Sequence, residues 1–376
     1  MLLWFGPIFP LNIIYSIINY FTAILIIIYF AKLYKIETKF LILLILTLLT
    51  PFFMNGVLID WYFVPDQSKY LGVVTKIRNL NFSELNNWIA IPTITVPSLI
   101  LSLTPIPFIE SFNGLGFANR LLFSLLVIFL INKKTPQIFI YFLILSPTLL
   151  FYTSIGLKDN VVIISSIICI FAIIEKRYFL FFFPFIIFFL CKWQNASIIL
   201  FMYIFYYYYY NYFIIKKKKL IINLFFLILV FIFLLFLIDN FLIDEINEIR
   251  SNLFIENGGN KLDYKKINSI ITFIPYLPFS IIRFIVSPFP DISSLFKMFL
   301  LIENIIVMFF LILYYYKFFK IDFKKASYWL FTLIIFLSMY STVTFNHGTI
   351  SRWKLSFLIS FLFAVIYLTK KKVKNE

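Results

Sequence analysis

Apolar runs of 14 to 23 residues recur along nearly the whole chain, separated by short polar connections. A bilayer core of about 30 Å needs about 20 apolar residues per spanning helix. The pattern therefore predicts an all-α polytopic membrane protein with spans near 8–30, 40–57, 115–131, 137–152, 160–174, 178–191, 196–214, 220–238, 296–316, 326–343 and 353–369. That is about 11 transmembrane helices, within a range of 10–13. Two apolar stretches break the pattern. Pro92, Pro97, Pro105 and Pro107 interrupt 92–109, and Pro275, Pro278, Pro288 and Pro290 interrupt 271–290. Because proline removes backbone donors, both read as broken or re-entrant segments packed against protein.

The polar connections are of two kinds. Nineteen of the 33 Lys and Arg residues fall in six clusters: Lys32–Lys39, Lys133–Lys134, Lys176–Arg177, Lys216–Lys219, Lys317–Lys325 and Lys370–Lys374. With Glu37, Glu175, Asp322 and Glu376 they carry +15 of the net +16. Cytoplasmic loops of membrane proteins retain Lys and Arg. Placing all six clusters in the cytoplasm is consistent with every span, with the N-terminus outside and the C-terminus cytoplasmic. Two long connections then lie outside, 58–114 with short or re-entrant helices and 239–295, within a single transmembrane domain covering 1–376.

Composition excludes several classes. The chain is 62% hydrophobic and 13% charged, and its positive charge is dispersed among short loops, so nucleic acid is not the expected partner. Phe and Tyr runs such as Tyr206–Tyr210 fit lipid-facing or interfacial aromatics. Cys169 and Cys191 lack metal-ligand spacing and predict no disulfide framework. The first apolar run has no basic n-region or small-residue cleavage site and reads as a span. No P-loop, GxGxxG, HExxH or G-x-S-x-G motif occurs. A single histidine excludes a His-rich metal site, and no cofactor is expected.

The candidate chemistry lies at the outer ends of spans, where ionisable groups are costly and often functional. Lys158–Asp159 opens a span. There Lys158 can meet a phosphate at a helix N-terminus, and Asp159 can cap the helix or act as a base. Lys192–Trp193–Gln194 offers a cation, a stacking surface and an amide suited to a sugar. Asn346–His347–Gly348 leads to Arg352–Trp353–Lys354. Arg352 can grip an anion bidentately, and His347 can serve as a base or simply as a turn residue. Arg283 lies in an apolar context with Asp291 as a possible salt-bridge partner. In the first outer connection Asp66 is a candidate base or a solvated carboxylate, beside Tyr70 and Arg78. The stretch 65–78 can form an amphipathic helix on the membrane. Ionisable residues gather at span ends, with Glu303, Glu110 and Arg120 as exceptions.

Four short motifs carry a resemblance. They are Ser146–Pro147 … Ser154 … Lys158–Asp159, then Lys192, then Arg283 … Pro288–Phe289–Pro290, and finally Asn346–His347–Gly348 … Arg352 … Lys354. With some eleven spans and two long outer loops, the chain resembles the bacterial O-antigen and capsular polysaccharide polymerases, the Wzy-like and EpsG-like group. The resemblance implies a GT-C-like, metal-independent glycosyltransferase of the bacterial inner membrane. Its donor would be a glycan on undecaprenyl pyrophosphate, its acceptor the next lipid-linked repeat unit, and its partners membrane lipid and a chain-length regulator. Asp66, Asp159, His347 and Arg352 would be catalytic. Lys158, Lys192, Trp193, Gln194, Arg283, Asn346, Lys354, Arg78 and Tyr70 would bind substrate. Related polymerases are described as having Arg-rich outer loops, whereas the outer loops here hold only Arg78, Arg250 and Arg283 before Arg352. Another GT-C glycosyltransferase, an O-antigen ligase, and a lipid-linked oligosaccharide flippase or other transporter are the alternatives.

Overall fold

The computed structural model describes residues 10–55, 57–58, 64, 66–81, 91–208, 239–256, 266–268, 270–287, 295–343 and 347–373. Among them the chain is helical throughout, as the apolar runs predict. The span expected at 220–238 lies outside the described residues, as does the end of that at 196–214. The chain divides into two compact units, one of residues 1–196 with 366–376, the other of residues 197–365.

The first unit is built on α1 (Pro10–Leu33), α2 (Thr38–Thr47), α3 (Thr50–Met54), α4 (Asp66–Arg78), α5 (Pro92–Ser102), α6 (Phe112–Asn132), α7 (Gln137–Leu145), α8 (Pro147–Ser154), α9 (Asp159–Glu175) and α10 (Tyr178–Cys191). α6 is its central helix. It is long and apolar enough to cross a membrane, and Leu115, Phe117, Leu121, Phe123, Val127 and Leu130 on it are fully sequestered. α1 packs on it from one side and presents Phe21, Leu25 and Tyr29 outward, as a lipid-facing helix would. α9 and α10 form a tight antiparallel hairpin turned at Lys176–Arg177, with Lys176 in the left-handed region at φ 55°. α11 (Trp193–Tyr208) leaves this unit directly after α10.

The second unit holds α12 (Asp239–Glu256), α13 (Ile270–Val286), α14 (Leu295–Ile321), α15 (Phe323–Val343) and most of α16 (His347–Val373). α13 packs on α15, and α14 meets α15 across the turn at Asp322. Stacked Phe336 and Phe357 join α15 to α16. Among the described residues, four helices have the length and composition of membrane spans: Ile13–Leu33, Phe112–Asn132, Lys297–Ile321 and Arg352–Lys371. A bent fifth is formed by α7 and α8.

Two expected spans are broken. The run 40–57 is divided between α2 and α3, because Pro51 has no N–H for the Thr47 carbonyl. The Thr50 hydroxyl takes that acceptor instead, at 2.7 Å. The run 137–152 bends by 57° between α7 and α8. Pro147 withholds the donor that Leu143 would receive, and the Ser146 side chain caps α8 by accepting from the Leu149 N–H at 3.2 Å. The two proline-rich segments run the other way. α5 continues through Pro97, and α13 continues through Pro275 and Pro278. Pro97, the sixth residue of α5, removes one bond, that to the Thr93 carbonyl. Pro275 and Pro278 stand on the outward side of α13 with Phe279 and Ile282, away from the packed face. Helix α4 forms where amphipathic character predicts it. Instead of lying free on a surface, it packs on α5 and buries Gln67, Tyr70, Val73 and Val74.

Four of the six basic clusters meet at one end of the first unit. Lys39 ion-pairs with Glu37 at 2.7 Å, and Gln137 donates to the same carboxylate at 3.2 Å. Lys370 donates to the Lys134 carbonyl at 2.7 Å, and Lys371 ion-pairs with Glu175 at 2.8 Å. The C-terminal end of α16 is thereby fastened to the loops after α6 and α9.

Candidate functional site

At the other end of the α9–α10 hairpin, the start of α9 and the end of α10 lie side by side. The turn 155–158 that opens α9 is held by three side-chain amides. Asn119 of α6 donates to the carbonyls of Ile155 and Leu157. The Gly156 N–H donates to Gln67 Oε1 of α4 at 3.0 Å, and Gln67 in turn donates to Asn55 Oδ1 at 3.0 Å. Asn160 donates to the Asn119 carbonyl at 2.7 Å and to its Oδ1 at 3.2 Å. All three amides are shielded from solvent. Gly116 lets α6 approach this turn closely: a Cβ there would collide with the Ser154 carbonyl oxygen.

This framework carries the first group of predicted residues. Lys158 takes the N-cap position of α9 and Asp159 its first residue, where a carboxylate favours the helix dipole. Asp159 is buried and Lys158 half-buried. Lys158 lies within electrostatic reach of Cys191, the last residue of α10. Next to it is Lys192, whose side chain is buried and whose carbonyl accepts the Ala196 N–H to start α11. Trp193 is 57% exposed, and Gln194 is exposed beside it. The structure thus brings together Lys158, Asp159, Lys192, Trp193 and Gln194, residues drawn from two separate motifs.

The α4 residues have more structural surroundings. Asp66 ion-pairs with Lys69 one turn away at 3.1 Å, and the Tyr70 ring is buried. Arg78 clamps the loop after α5. It donates from Nε to Ser102 O (3.1 Å), from Nη2 to Thr104 O (2.7 Å), and from Nη1 to Ile106 O (2.7 Å) and Pro107 O (3.1 Å). Partial burial lowers its pKa, and the guanidinium keeps its charge at any physiological pH.

The second group lies in the second unit. Arg283, on the last turn of α13, is exposed and donates to the Ser341 carbonyl of α15 at 3.4 Å. Ser280, one turn earlier, shares a hydrogen bond with Ser341 Oγ at 3.0 Å. Lys354 is 3% exposed, and its ammonium is turned onto the main chain at the end of α13. Arg352 is half-buried on the first turns of α16, and His347 is that helix's first residue. The His347 side chain, Asn346 and Asp291 lie outside the described residues.

Some polar groups carry weight that the motifs do not announce. Arg120 has no exposed surface. It donates from Nη1 to Thr153 Oγ1 at 2.6 Å and lies 5.3 Å from the Phe123 ring centroid, while its Nε and Nη2 have no partner among the described residues. Glu303 is buried within α14. Both are ionisable residues inside membrane-compatible helices, two of the exceptions marked in the sequence. Asn119 and Asn160 each stand beside a charged residue, Arg120 and Asp159, and the spacing gave no hint of their pairing. Among the described residues, no three His, Cys, Asp or Glu side chains converge to hold a metal. No family model, curated protein or solved structure matches the chain.

Proposed function

We propose that the chain is a polysaccharide polymerase of the bacterial inner membrane, GT-C-like, with about eleven spans, the N-terminus outside and the C-terminus cytoplasmic. It would join lipid-linked oligosaccharide repeat units on the periplasmic face. One observation carries this reading. Lys158, Asp159, Lys192, Trp193 and Gln194 gather at the end of the α9–α10 hairpin opposite the end where Glu175 meets Lys371. With the basic clusters cytoplasmic, the gathered group faces the periplasm.

In the proposed reaction a sugar hydroxyl of the incoming repeat unit attacks the anomeric carbon of the growing glycan. The new glycosidic bond forms as the bond to pyrophosphate breaks. The hydroxyl proton passes to a carboxylate, Asp159 or Asp66, or to His347. Undecaprenyl pyrophosphate departs with the bonding electrons, and Lys158 and Lys192 of the first unit offset its growing charge; Arg283 and Arg352 of the second unit are proposed as further anion contacts. Trp193 offers a stacking surface and Gln194 hydrogen bonds to the sugar ring.

Arg120 and Glu303 favour a second reading. Buried charge within spans is typical of transport pathways, so a lipid-linked oligosaccharide flippase is the competing function. Deleting the gene and resolving surface glycan by gel separates the two. Loss of a polymerase leaves single repeat units in place of a ladder. Loss of a flippase leaves no surface glycan and traps lipid-linked units on the cytoplasmic face. An unchanged ladder refutes both.

A further inference from the structure

The last turn of a helix leaves carbonyls without intrahelical donors. In a membrane bundle there is no water to satisfy them, so the protein must supply the donors. At the end of α13 the shortage is written into the sequence. The Phe284 carbonyl would normally accept from residue 288 and that of Val286 from residue 290. Both are prolines without an N–H. The helix continues only as far as the Ser287 N–H, which donates to the Arg283 carbonyl at 3.0 Å.

The donor missing at Phe284 comes from a side chain 70 residues away in sequence, which also serves two neighbouring carbonyls. Lys354 Nζ donates to the carbonyls of Phe284 (3.3 Å), Ile285 (3.1 Å) and Ser287 (2.9 Å). An ammonium has three N–H groups, and three carbonyls receive them. Its charge also suits the negative end of the helix dipole. From α14, Asn304 Nδ2 donates to the same Ser287 carbonyl at 2.6 Å. The buried Glu303 carboxylate lies within electrostatic reach of the ammonium. A buried ammonium is costly unless paired and hydrogen-bonded, and here carbonyls and a carboxylate provide both.

We infer that Lys354 is a positioning residue, the fixed cation that caps the end of α13, standing in at Phe284 for the donor that Pro288 lacks, and so holds Arg283 on the last turn for an anion. Arg283 is the exposed cation of this helix end, steadied on its other side by Ser341. The Arg283 … Pro288–Phe289–Pro290 stretch and Lys354, two separate sequence motifs, are thereby one device. The prolines stop the helix, and the lysine closes the stop. The anion role of Arg283 rests on the proposed polymerase function, whereas the cap itself does not.

The test has a structural arm and a functional arm on the full chain in detergent or vesicles. In the structural arm, hydrogen exchange is followed on peptides covering 280–287. Hydrogen bonds to a charged group are strong enough that their loss should speed exchange there by roughly tenfold or more in Lys354→Ala. Lys354→Arg should retain protection. Adding Pro288→Ala to Lys354→Ala restores a backbone donor for Phe284 and should recover part of the protection. If Lys354→Ala folds poorly, Lys354→Gln is compared with Lys354→Arg in its place. Unchanged exchange at this helix end, or no recovery on adding Pro288→Ala, overturns the cap. In the functional arm, donor KM is measured for Lys354→Ala, Arg283→Ala and the double variant. Action through Arg283 predicts a double variant no worse than the poorer single. Independent, multiplying losses would make Lys354 a direct substrate contact and overturn its positioning role. A chain that makes no glycan in any form defeats the polymerase reading, while the exchange arm still decides the cap.

Discussion

Asn119→Ala should disable the chain without touching any group proposed to meet substrate. Asn119 is fully buried and donates to two carbonyls of the turn that presents Lys158 and Asp159, and its own Oδ1 and carbonyl both accept from Asn160. Truncation removes both donations to the turn and one of the two acceptors for Asn160. Side-chain hydrogen bonds inside membrane bundles are worth about 0.6 kcal/mol on average and up to about 1.7. Each buried polar group left without a partner costs about 1–3 kcal/mol. One orphaned carbonyl, at Leu157, a second at Ile155 left with only the Leu157 N–H, and a weakened Asn160 therefore predict a loss of about 2–4 kcal/mol. Part of that is relieved if the turn shifts, and such a shift would itself displace Lys158. Equilibrium unfolding in detergent, read beside chain extension in cells, measures both effects. Because Asn119 and Asn160 share their bonds, Asn119→Ala and Asn160→Ala should be non-additive by more than about 0.5 kcal/mol. A loss below about 1 kcal/mol with full activity, or strict additivity, would refute the idea that these amides build the turn.

Three further outcomes follow from the same geometry. Gly116→Ala places a methyl group against the Ser154 carbonyl and should destabilise by about 1–3 kcal/mol through overpacking, seen as a lower midpoint in detergent unfolding; an unchanged midpoint would mean that α6 and the turn separate easily. Arg78→Ala should free the loop 103–107, whose carbonyls it binds, so limited proteolysis should cut there first, whereas Arg78→Lys should protect only partly because an ammonium cannot span the same fan of acceptors. Lys158→Ala, Lys192→Ala and Arg352→Ala should each abolish chain extension while the protein still inserts and accumulates, and full activity in all three would remove the proposed anion contacts.

The apolar runs made most helices legible, because hydrocarbon selects continuous apolar stretches and allows few alternatives. Four of the six basic clusters share one end of the first unit, through the Glu37–Gln137, Lys134–Lys370 and Glu175–Lys371 contacts. Proline was the poorer guide. At Pro51 and Pro147 the apolar count concealed real breaks, while at Pro97, Pro275 and Pro278 the helix absorbed the lost bond. Whether a proline breaks a helix depends on what satisfies the freed carbonyl, and that partner comes from elsewhere in the chain. The site divides in the same way. Lys158, Asp159 and Lys192 were legible because charge at a span end stands out against apolar surroundings. Gln67 on Gly156, Asn119 on Asn160 and Lys354 on the end of α13 join residues 41 to 89 apart in sequence. No local pattern encodes such pairings.

The most direct measurement of the central claim uses the purified protein in lipid vesicles with the host's own undecaprenyl-pyrophosphate-linked repeat unit. The account predicts a glycan ladder, one undecaprenyl pyrophosphate released for each new linkage, and loss of both in Lys158→Ala. Movement of intact repeat units across the bilayer with no new linkage would contradict it.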